Sequence, residues 1–560
     1  MNAPAPLPAL ERTLPLPTWT WTLPEHFNIG VACTDAHLGT PAENRLAMIV
    51  EDDERGVSQA TYKELAERSS RFAQLLRHLG VDAGERVLIR LPNCLDYPTA
   101  FLGAMKRGAV SVPTSTLLTA EEVMYLAKDS GASMLVTDQA MWADLRDKVA
   151  GLEDLRCVLL SGITAPDFAA LQPGYPGLQV LNLDAALDAL DTWAPPHKTK
   201  SHDAAYLVYT SGTTGYPKGV LHAHRAMIGR EPAARYWFDF AEEGDRIVHS
   251  GKFNWTYVLG SALMDPLYRG KTVIVHEGKN DAAGWIRLIA KHSATLFIGV
   301  PTIYRQILQK TAFTGVDVPT LRHCMSAGEH LSDEMLGLWH ERFGVDIYEA
   351  VGMSEVSYYL SENKFRPIRP GSAGFPQPGH DVRLLDPETL KEVALGEEGM
   401  ICLPADDPGL FMRYWNLPKE TGKVFKDKWF LTGDYARFDA DGYIWFLGRR
   451  DDIINSFGYR VSPHEIERVL KTHPAVADCA ASGQNIGEEL AVDKVLVVAY
   501  VTLHPGADIS PDALLAFGRE HLAAYKAPKI VYLAADFPRT KNGKIMRKQL
   551  APTLATARSA

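Results

Sequence analysis

Residues 209–219, YTSGTTGYPKG, have the composition of a loop that could hold phosphate. Three glycines let the backbone bend around an anion, and four serine or threonine hydroxyls can point at it together with backbone N–H groups. The segment continues the hydrophobic run AAYLVY, as expected for a loop at the end of a buried strand. It is not a Walker A loop, because Lys218 is preceded by Pro217 and followed by Gly219. The alternative is a flexible surface turn.

A basic segment near the C-terminus, PRTKNGKIMRKQL at residues 538–550, is a second place where chemistry could occur. Spacing alone favours a solvated tail for Lys541, Lys544, Arg547 and Lys548. A lysine about 4 Å from an anion would contribute about 4 kcal/mol at an effective dielectric constant of about 20. One such lysine could therefore decide a step in which two anionic groups approach each other.

Three more segments complete a set of five motifs: SAGEHL at 326–331, VGMSE at 351–355, and TGDYARFDADGYIWFLGRRDDIINSFGYRVSP at 432–463. With these motifs, in this order, the chain resembles the adenylate-forming superfamily of acyl-CoA synthetases, luciferases and peptide-synthetase adenylation domains. It is most similar in character to the benzoate-CoA ligases and medium-chain acyl-CoA synthetases. The resemblance covers nearly the whole chain after about residue 45.

The resemblance implies that the chain binds ATP, Mg²⁺ and coenzyme A. It assigns the β- and γ-phosphates to Thr210, Ser211, Gly212, Thr213, Thr214, Gly215 and Lys218. It places Gly328 and Glu329 along the adenine, Ser354 and Arg449 near the nucleotide, and Asp434 on both ribose hydroxyls, which suits a carboxylate with two oxygens. Glu355, a hard oxygen donor, would bind the Mg²⁺ that bridges the phosphates.

Four C-terminal residues take roles by the same resemblance. Lys544 would bridge the substrate carboxylate and the α-phosphate, and Arg460 would lie near the phosphates during the first half-reaction. Asp451 falls at the family's hinge, although two adjacent acids in a linker could equally be plain surface. Gly458 would flank the pantetheine tunnel in the second conformation, where a Cβ would obstruct it.

The pocket for the acid is where the sequence departs from the common pattern. Val351 replaces a tyrosine that often faces the adenine, and an aliphatic residue at this position resembles the benzoate-type ligases. Gly352 stands where acetate-specific relatives carry a tryptophan. We therefore expect a deeper pocket, with Ala327 and Gly352 lining it. FNWTYVLGSAL at 253–263 offers Trp255 and Tyr257 as walls, with an aromatic core cluster as the alternative reading. The effect of His330, in place of a frequent proline, is not predicted.

Two histidines, His222 and His224 in LHAHR, could chelate a metal as an H-x-H pair. No further histidine, cysteine or acidic ligand lies nearby in the sequence, so we predict structural or loop-supporting roles for them. No metal beyond Mg²⁺ is expected. Trp19 and Trp21 are expected to pack against the body of the protein.

Composition excludes several classes of protein. The chain has 560 residues, 58 basic and 68 acidic, for a net charge of −10, which does not favour a nucleic-acid surface. Six scattered cysteines without a C-x-x-C pair support neither a disulfide framework nor a zinc cluster. The longest apolar stretches fall far short of the ~20 residues that span a bilayer. We expect a cytoplasmic, multidomain enzyme with no membrane span.

The elements that position these residues alternate between strands and helices. Short β-branched runs such as AMIV (47–50), VLIRL (87–91) and SMLVTD (133–138) are separated by helical periodicity, which favours an α/β fold with parallel layers. Thr119 and Glu122 form a capping-box pattern for a helix that could end at Gly131. After about residue 365 turn-rich strands indicate a smaller β-rich region, and Ser462 with Pro463 predicts the start of a later helix.

These patterns and the resemblance give three segments. Residues 1–44 form an N-terminal lead-in, with its proline-broken start unsuited to a signal peptide. Residues 45–450 form a large domain of layered α/β subdomains plus a β-rich subdomain, which holds ATP and the acyl pocket. Residues 451–560 form a small mobile α+β domain, with the hinge at Asp451.

The predicted function is that of an AMP-forming acyl-CoA ligase, which makes an acyl adenylate and transfers the acyl group to CoA. An aromatic, benzoate-like acid or a medium-chain acid is the predicted substrate, with a place in fatty-acid or aromatic-acid metabolism. The alternatives are a ligase that loads a carrier protein and a non-catalytic nucleotide-binding regulator. A homodimer is a further hypothesis, as is a lysine acetyltransferase and deacetylase pair that acts on Lys544.

Overall fold

The structure is a computed structural model, and it describes most of the chain. The described residues are 18–171, 177–191, 195–210, 217–253, 256–279, 281–328, 331–449, 452, 454–456, 459–485, 495–522, 526–539 and 545–551. For residues 150, 455, 459, 460, 485 and 548 only the backbone is described.

The described residues contain strands that fall into five sheets. In chain order they are β1 Leu46–Asp52, β2 Gly56–Thr61, β3 Arg86–Arg90, β4 Val110–Pro113, β5 Ala132–Asp138, β6 Cys157–Ser161, β7 Gln179–Asn182, β8 Ala204–Thr210, β9 Lys218–Ala223, β10 Arg246–His249, β11 Thr272–Glu277, β12 Leu296–Ile298, β13 His323–Ala327, β14 Ile347–Met353, β15 Ser357–Ser361, β16 Phe375–Pro376, β17 Arg383–Leu385, β18 Gly399–Pro404, β19 Arg413–Tyr414, β20 Phe425–Lys426, β21 Trp429–Phe438, β22 Ile444–Arg449, β23 Ile454–Ser456, β24 Tyr459–Val461, β25 Val476–Asn485, β26 Val495–Leu503 and β27 Ile530–Leu533.

The α-helices in chain order are α1 Ile29–Ala32, α2 Tyr62–His78, α3 Asp96–Arg107, α4 Ala120–Ser130, α5 Gln139–Leu145, α6 Ala165–Leu171, α7 Leu183–Asp188, α8 Glu231–Tyr236, α9 Thr256–Val258, α10 Asp265–Tyr268, α11 Ala282–Lys291, α12 Pro301–Lys310, α13 Asp333–Phe343, α14 Pro418–Val424, α15 Pro463–Lys471 and α16 Pro511–His521. A π-helical segment, Leu259–Met264, joins α9 to α10. Among the described residues no helix combines the length and the apolar character needed to cross a bilayer.

Two large, mainly parallel sheets carry the site. One has the strand order β16-β15-β14-β13-β12-β10-β11-β1-β2, and the other has the order β19-β9-β8-β4-β3-β5-β6-β7. Helices α2 and α3 and the inner faces of both sheets share one continuous hydrophobic core. Parallel strands joined by helices confirm the predicted α/β class.

The smaller sheets follow along the chain. One joins β17, β18, β20, β21 and β22, which is the turn-rich region expected after residue 365. Beyond it, β25, β26 and β27 form a three-stranded sheet packed with α15 and α16 around a separate hydrophobic core. The fold therefore has the predicted large α/β body and small α+β unit, while the boundary at residue 451 stays a prediction.

Local sequence signals explain where two helices begin. The Thr119 side chain accepts a hydrogen bond from the Glu122 N–H and Glu122 reaches back, so the predicted capping box is confirmed, and Gly131 ends α4 in a left-handed conformation. The Ser462 side chain caps α15 by accepting from the Glu465 N–H, with Pro463 as its first residue, also as predicted.

The N-terminal segment is more closely integrated than a lead-in. Ile29 and Cys33 are fully buried in the main core, although both fall within the 1–44 segment that we assigned to the lead-in. Trp21 donates from Nε1 to the Gly379 carbonyl at 3.0 Å, and its ring lies edge-on to His380. Residues 18–44 are therefore part of the packed body, and the packing predicted for Trp21 is confirmed.

Candidate active site

The predicted phosphate loop connects two paired strands. The run AAYLVYT coincides with β8 and is buried over most of its length, and β9 begins at Lys218. Thr210 and Lys218 are directly opposite each other in the antiparallel β8–β9 pair. Residues 211–216 lie outside the described residues, but both ends of their loop are held at one position by this pairing.

Glu355 lies two residues before β15 and is buried, with 8% of its surface exposed. The Tyr414 hydroxyl donates to Glu355 Oε1 at 2.8 Å, and the Glu355 carbonyl accepts from the Phe411 N–H at 2.7 Å. Burial raises the pKa of the Glu355 carboxyl, whereas the Tyr414 hydroxyl and the charges of Arg449 and Lys218 act in the opposite direction. The carboxylate is thus within electrostatic range of both predicted nucleotide-binding cations.

The segment 411–415 connects Glu355 to β9, the strand that follows the predicted phosphate loop. Its strand β19 pairs with β9, with Tyr414 opposite Val220, and the Trp415 N–H donates to the Gly219 carbonyl at 2.7 Å. The same segment therefore hydrogen-bonds to the residue after Lys218 on one side and to Glu355 on the other. We name residues 411–415 the bridging segment.

Lys218 contacts Tyr414 of the bridging segment and Glu420 of α14, which follows that segment. Its Nζ lies 5.6 Å from the centre of the Tyr414 ring and 3.7 Å from Glu420 Oε2. Its side chain is only 19% exposed. A lysine in this position can present its charge to a phosphate without leaving its aromatic support.

Asp434 and Arg449 are opposite each other on β21 and β22. Arg449 Nε lies 3.5 Å from Asp434 Oδ1, and the Asp434 side chain is 7% exposed whereas that of Arg449 is 51% exposed. Burial, and next the charge of Asp434, raises the pKa of the Tyr359 hydroxyl, and Arg449 and Glu355 also act on this group. Asp434, Arg449 and Glu355 therefore share one electrostatic neighbourhood.

A single buried carboxylate suits magnesium in a nucleotide site. Mg²⁺ keeps several waters and is usually bound by one or two carboxylates together with substrate phosphates, so Glu355 near the predicted phosphate loop fits this ion. Within the described ranges, no group of three or more histidine, cysteine or acidic side chains could form an all-protein metal site.

The predicted wall residue Tyr257 packs against two buried rings, Trp237 at 0% and His249 at 1% exposed. The Tyr257 ring lies 5.4 Å from that of His249 and 6.2 Å from that of Trp237. The Ser261 hydroxyl accepts a hydrogen bond from His249 Nε2 at 2.9 Å and donates one to the Tyr257 carbonyl at 2.8 Å. These bonds fix the His249 ring against the π-helical segment that contains Ser261. Ala327 ends β13 and is buried, and Gly328 follows it with a φ of +100°.

Gly352 lies at an irregularity in the β14–β15 hairpin. The register shifts between Val351 and Gly352, and Gly352 is opposite Tyr358. A Cβ at this position would approach the Ser357 carbonyl oxygen to 2.1 Å and the Tyr358 Cα to 2.8 Å. Close backbone packing in the hairpin is therefore enough to explain a glycine at this position, apart from the pocket depth that the sequence suggested.

Behind this wall lies a buried charged cluster that the sequence did not reveal. Arg230 donates to both oxygens of Asp265, at 3.0 and 2.6 Å, and the two side chains are 4% and 3% exposed. The Tyr358 hydroxyl accepts from Arg230 and donates to Asp265. A Cβ at Gly260 would meet the Arg230 guanidinium at 1.7 Å, so the glycine lets Arg230 cross the π-helical segment.

The two histidines of LHAHR have structural contacts, as predicted. His222 Nε2 donates to the Ser354 carbonyl at 2.7 Å, and its ring stacks on Tyr206 with centroids 4.7 Å apart. His224 Nδ1 accepts from the Ile29 N–H at 3.1 Å. Burial lowers the pKa of each to about 3, so both are neutral.

Several predicted site residues lie outside the described residues and stay predictions. They are Ser211, Gly212, Thr213, Thr214, Gly215, Trp255, Glu329, His330, Asp451, Gly458 and Lys544. Arg460 is on β24, where only its backbone is described. The described residues that converge are Thr210, Lys218, Ser354, Glu355, Asp434 and Arg449, together with Tyr414 and Glu420, which our sequence analysis missed. The only local signal for these two was the aromatic and charged segment MRYWNLPKE.

Comparison with known proteins gives two family matches. The family described as AMP-binding enzyme matches residues 38–415, and the AMP-binding enzyme C-terminal domain matches residues 465–544. The 3-hydroxybenzoate–CoA ligase of Aromatoleum sp. (strain CIB) is 33% identical over 90% of this chain and 93% of its own. The benzoate–CoA ligase of Thauera aromatica is 32% identical, with 88% and 90% covered.

A solved structure extends the likeness to three dimensions. The crystal structure of the anthranilate CoA ligase AuaEII in complex with anthranoyl-AMP superposes with a TM-score of 0.81 at 29% identity. The match covers 94% of this chain and 96% of that one. The superfamily resemblance stated from the motifs is confirmed.

Proposed function

This chain belongs to the AMP-binding enzyme family and matches named CoA ligases over most of its length, so it is an AMP-forming acyl-CoA ligase, and we propose that its preferred acid is aromatic and benzoate-like. The observation that carries the assignment to this site is the convergence of Lys218, Glu355 and the Asp434–Arg449 pair around the bridging segment. Two cations and two carboxylates close together suit the binding of a nucleoside triphosphate and its metal ion.

The first half-reaction joins the acid to AMP. A carboxylate oxygen of the acid attacks the α-phosphorus of ATP, a P–O bond forms, and the bond to the leaving pyrophosphate breaks. Thr210 and Lys218, with the loop between them, would hold the β- and γ-phosphates, and Asp434 would accept hydrogen bonds from the ribose hydroxyls. Arg449 would add a positive charge beside the nucleotide. Mg²⁺ held by Glu355 would supply neutralising charge to the phosphates.

The second half-reaction transfers the acyl group to coenzyme A. The thiol sulfur attacks the acyl carbon of the mixed anhydride, a C–S bond forms, the bond to AMP breaks, and the thiol proton leaves to solvent. We assign Lys544 and Arg460 to the first half-reaction, Asp451 to the hinge between the two conformations, and Gly458 to the pantetheine path. These roles rest on the motif resemblance.

An aromatic acid is supported by two observations. The two curated relatives described above are named as ligases of benzoate or 3-hydroxybenzoate. In this chain the rings of Trp237 and His249 flank Tyr257, the wall residue that the sequence singled out. Of these three rings only Tyr257 is partly exposed, so it is the ring that could contact the acid. An aromatic acid would suit it, because stacked or edge-on rings gain about 0.5–1.5 kcal/mol beyond the area they bury. A medium-chain acid is the second candidate.

The test is carboxylate-dependent pyrophosphate release from ATP and Mg²⁺ over acetate, hexanoate, octanoate, benzoate and hydroxybenzoates, each with and without CoA. We expect benzoate-type acids to give the highest kcat/KM, with AMP and thioester formed in equal amounts. Hexanoate or octanoate as the best acid would reject the aromatic assignment. Pyrophosphate release that never yields thioester would indicate a carrier-protein acceptor. Silence with every acid despite ATP binding would indicate a non-catalytic regulator.

Lys544 provides a test of how the half-reactions are divided. For Lys544→Ala we expect a loss of adenylation by at least a hundredfold, while thioester formation from supplied acyl adenylate largely survives. Equal loss of both would reject the division. We also propose that acetylation of Lys544 switches the enzyme off, since it removes the same charge, and that acetylated protein therefore fails at adenylation alone. A homodimer and a cytoplasmic location remain proposals, to be checked by sedimentation and by fractionation.

A further inference from the structure

Tyr414 contacts both of the groups that would act on the phosphates. Its hydroxyl donates to Glu355 Oε1 at 2.8 Å, and the face of its ring lies 5.6 Å from Lys218 Nζ. The residue is 7% exposed. A tyrosine that merely filled space at this position would not need a hydroxyl aimed at a buried carboxylate.

The backbone around Tyr414 holds it in place from two directions. The Tyr414 N–H donates to Thr421 Oγ1 at 3.0 Å, and the residue pairs with Val220 of β9. Its neighbour Phe411 donates to the Glu355 carbonyl. Tyr414 is paired with β9, the strand that follows the phosphate loop. The position of β9 therefore determines where the Tyr414 hydroxyl holds the Glu355 carboxylate.

We propose that Tyr414 is a positioning residue that orients the Glu355 carboxylate for the magnesium of bound Mg·ATP. A carboxylate offers two oxygens, and a hydrogen bond to Oε1 restrains rotation about its last carbon–carbon bond. Oε2 then points in one direction instead of sampling several. Mg²⁺ demands near-ideal octahedral geometry, so it gains from a ligand that is oriented before it binds. This inference rests on the proposed function of Glu355.

The experiment compares ATP binding with and without the metal, in the absence of any acid so that no turnover contributes. Isothermal titration calorimetry gives the Kd of ATP in excess EDTA and in excess Mg²⁺, and the ratio of the two measures what magnesium adds. Tyr414→Phe removes the hydroxyl and keeps the ring under Lys218. We expect this ratio to fall three- to tenfold in Tyr414→Phe, with the Kd in EDTA unchanged.

Two further variants separate orientation from packing. In Glu355→Gln the ratio should fall at least as far as in Tyr414→Phe, and adding Tyr414→Phe to Glu355→Gln should change it no further, because the hydroxyl acts through the carboxylate. Tyr443→Phe is the matched control, since the Tyr443 hydroxyl donates to the Pro367 carbonyl at 2.7 Å, away from the bridging segment. It should leave the ratio unchanged.

Three outcomes would overturn the inference. An unchanged ratio in Tyr414→Phe would show that the hydroxyl does not serve the metal. A weaker Kd in EDTA and in Mg²⁺ alike would show that Tyr414 supports the phosphate loop and not Glu355. If the unmodified protein binds ATP equally well with and without Mg²⁺, the magnesium role of Glu355 fails first and this inference fails with it.

Discussion

Two arginine–aspartate pairs in this molecule have the same chemistry and opposite surroundings. Arg230 and Asp265 meet through two hydrogen bonds behind the predicted acyl pocket, both buried, with Tyr358 bonded to each. Arg449 and Asp434 approach only to 3.5 Å in the proposed nucleotide site, and Arg449 is half exposed. The side chains of the first pair form their hydrogen bonds with other protein groups. In the second pair the ion-pair contact is long and the Arg449 guanidinium is accessible to solvent.

The difference in burial and in mutual hydrogen bonding indicates a structural role for the first pair and is consistent with the ligand-binding role proposed for the second. A buried pair whose partners satisfy each other has little capacity left for a ligand, and losing one partner leaves an uncompensated charge. A long, partly exposed pair contributes little to stability and can exchange its contact for a better one with a ligand. We therefore expect substitutions in the first pair to change folding and substitutions in the second to change ATP use.

The largest effect should come from Asp265→Asn. It leaves the Arg230 charge buried without its partner, which typically costs about 3–5 kcal/mol, so the free energy of unfolding should fall by that amount in urea titrations. The KM for ATP of the folded fraction should not change. Replacing both partners by apolar residues, Arg230→Met with Asp265→Leu, should recover much of the loss. A double variant as unstable as the single one would contradict the proposed origin of the effect.

Asp434→Asn should show the reverse pattern. We expect kcat/KM for ATP to fall about 30- to 150-fold, the equivalent of about 2–3 kcal/mol, because the neutral amide loses charge-assisted hydrogen bonds to the ribose. The free energy of unfolding should change by less than about 1 kcal/mol. Steady-state kinetics at varied ATP and a urea titration measure the two quantities. A loss of stability without a change in ATP kinetics would remove Asp434 from the site.

Tyr358→Phe tests the closed cluster more gently. It removes a hydroxyl that accepts from Arg230 and donates to Asp265, while the ring that packs on Trp237 remains. We expect the unfolding free energy to fall by about 1–2 kcal/mol. Tyr268→Phe, which removes a partly buried hydroxyl bonded to Glu231 at 2.7 Å, is the control and should cost less. Equal losses of unfolding free energy in the two variants would mean that the Tyr358 hydroxyl stabilises the protein no more than an ordinary partly buried hydroxyl.

His222 lies between the two regions and gives the smallest effect. Its pKa is lowered by burial to about 3, from an ordinary value near 6.5. The unfolded chain therefore takes up a proton below about pH 6.5 that the folded protein refuses, so the stabilising contribution is complete above that pH and is lost as the pH falls toward 3. We expect His222 to account for about 1 kcal/mol of the stability lost between pH 7 and pH 5.5, with His224 adding its own share, measured by urea titration. His222→Gln should therefore reduce the slope of this part of the profile, and an unchanged slope would contradict the shift.

The sequence predicted the features whose determinants are local. The capping box at Thr119, the helix start at Ser462 and the strand before the phosphate loop each depend on residues within a few positions of one another. The five motifs could be recognised because each one is a short, continuous stretch of the chain. For the same reason the family and the chemistry could be predicted from the sequence.

What the sequence did not predict are partners far apart along the chain. Tyr414 and Glu355 are separated by 59 positions, and they meet only because β19 adds to the edge of a sheet beside β9. Arg230 and Asp265 are 35 positions apart, on opposite sides of a π-helical segment that no local pattern signalled. The contact of Ile29 with His224 spans 195 positions, which is why the N-terminal segment was mistaken for a lead-in.

If Gly352 lines the acyl pocket as we propose, its hairpin limits how the substrate range of this enzyme can evolve. Any side chain there would collide with the backbone of Ser357 and Tyr358, so a single substitution cannot narrow the pocket without re-forming the turn. Drift toward shorter acids would then need a second, permissive change in the hairpin. A single substitution at Tyr257, the proposed pocket wall, can shorten the side chain without moving the backbone. Proteins that diverged from this chain should therefore differ first at that position.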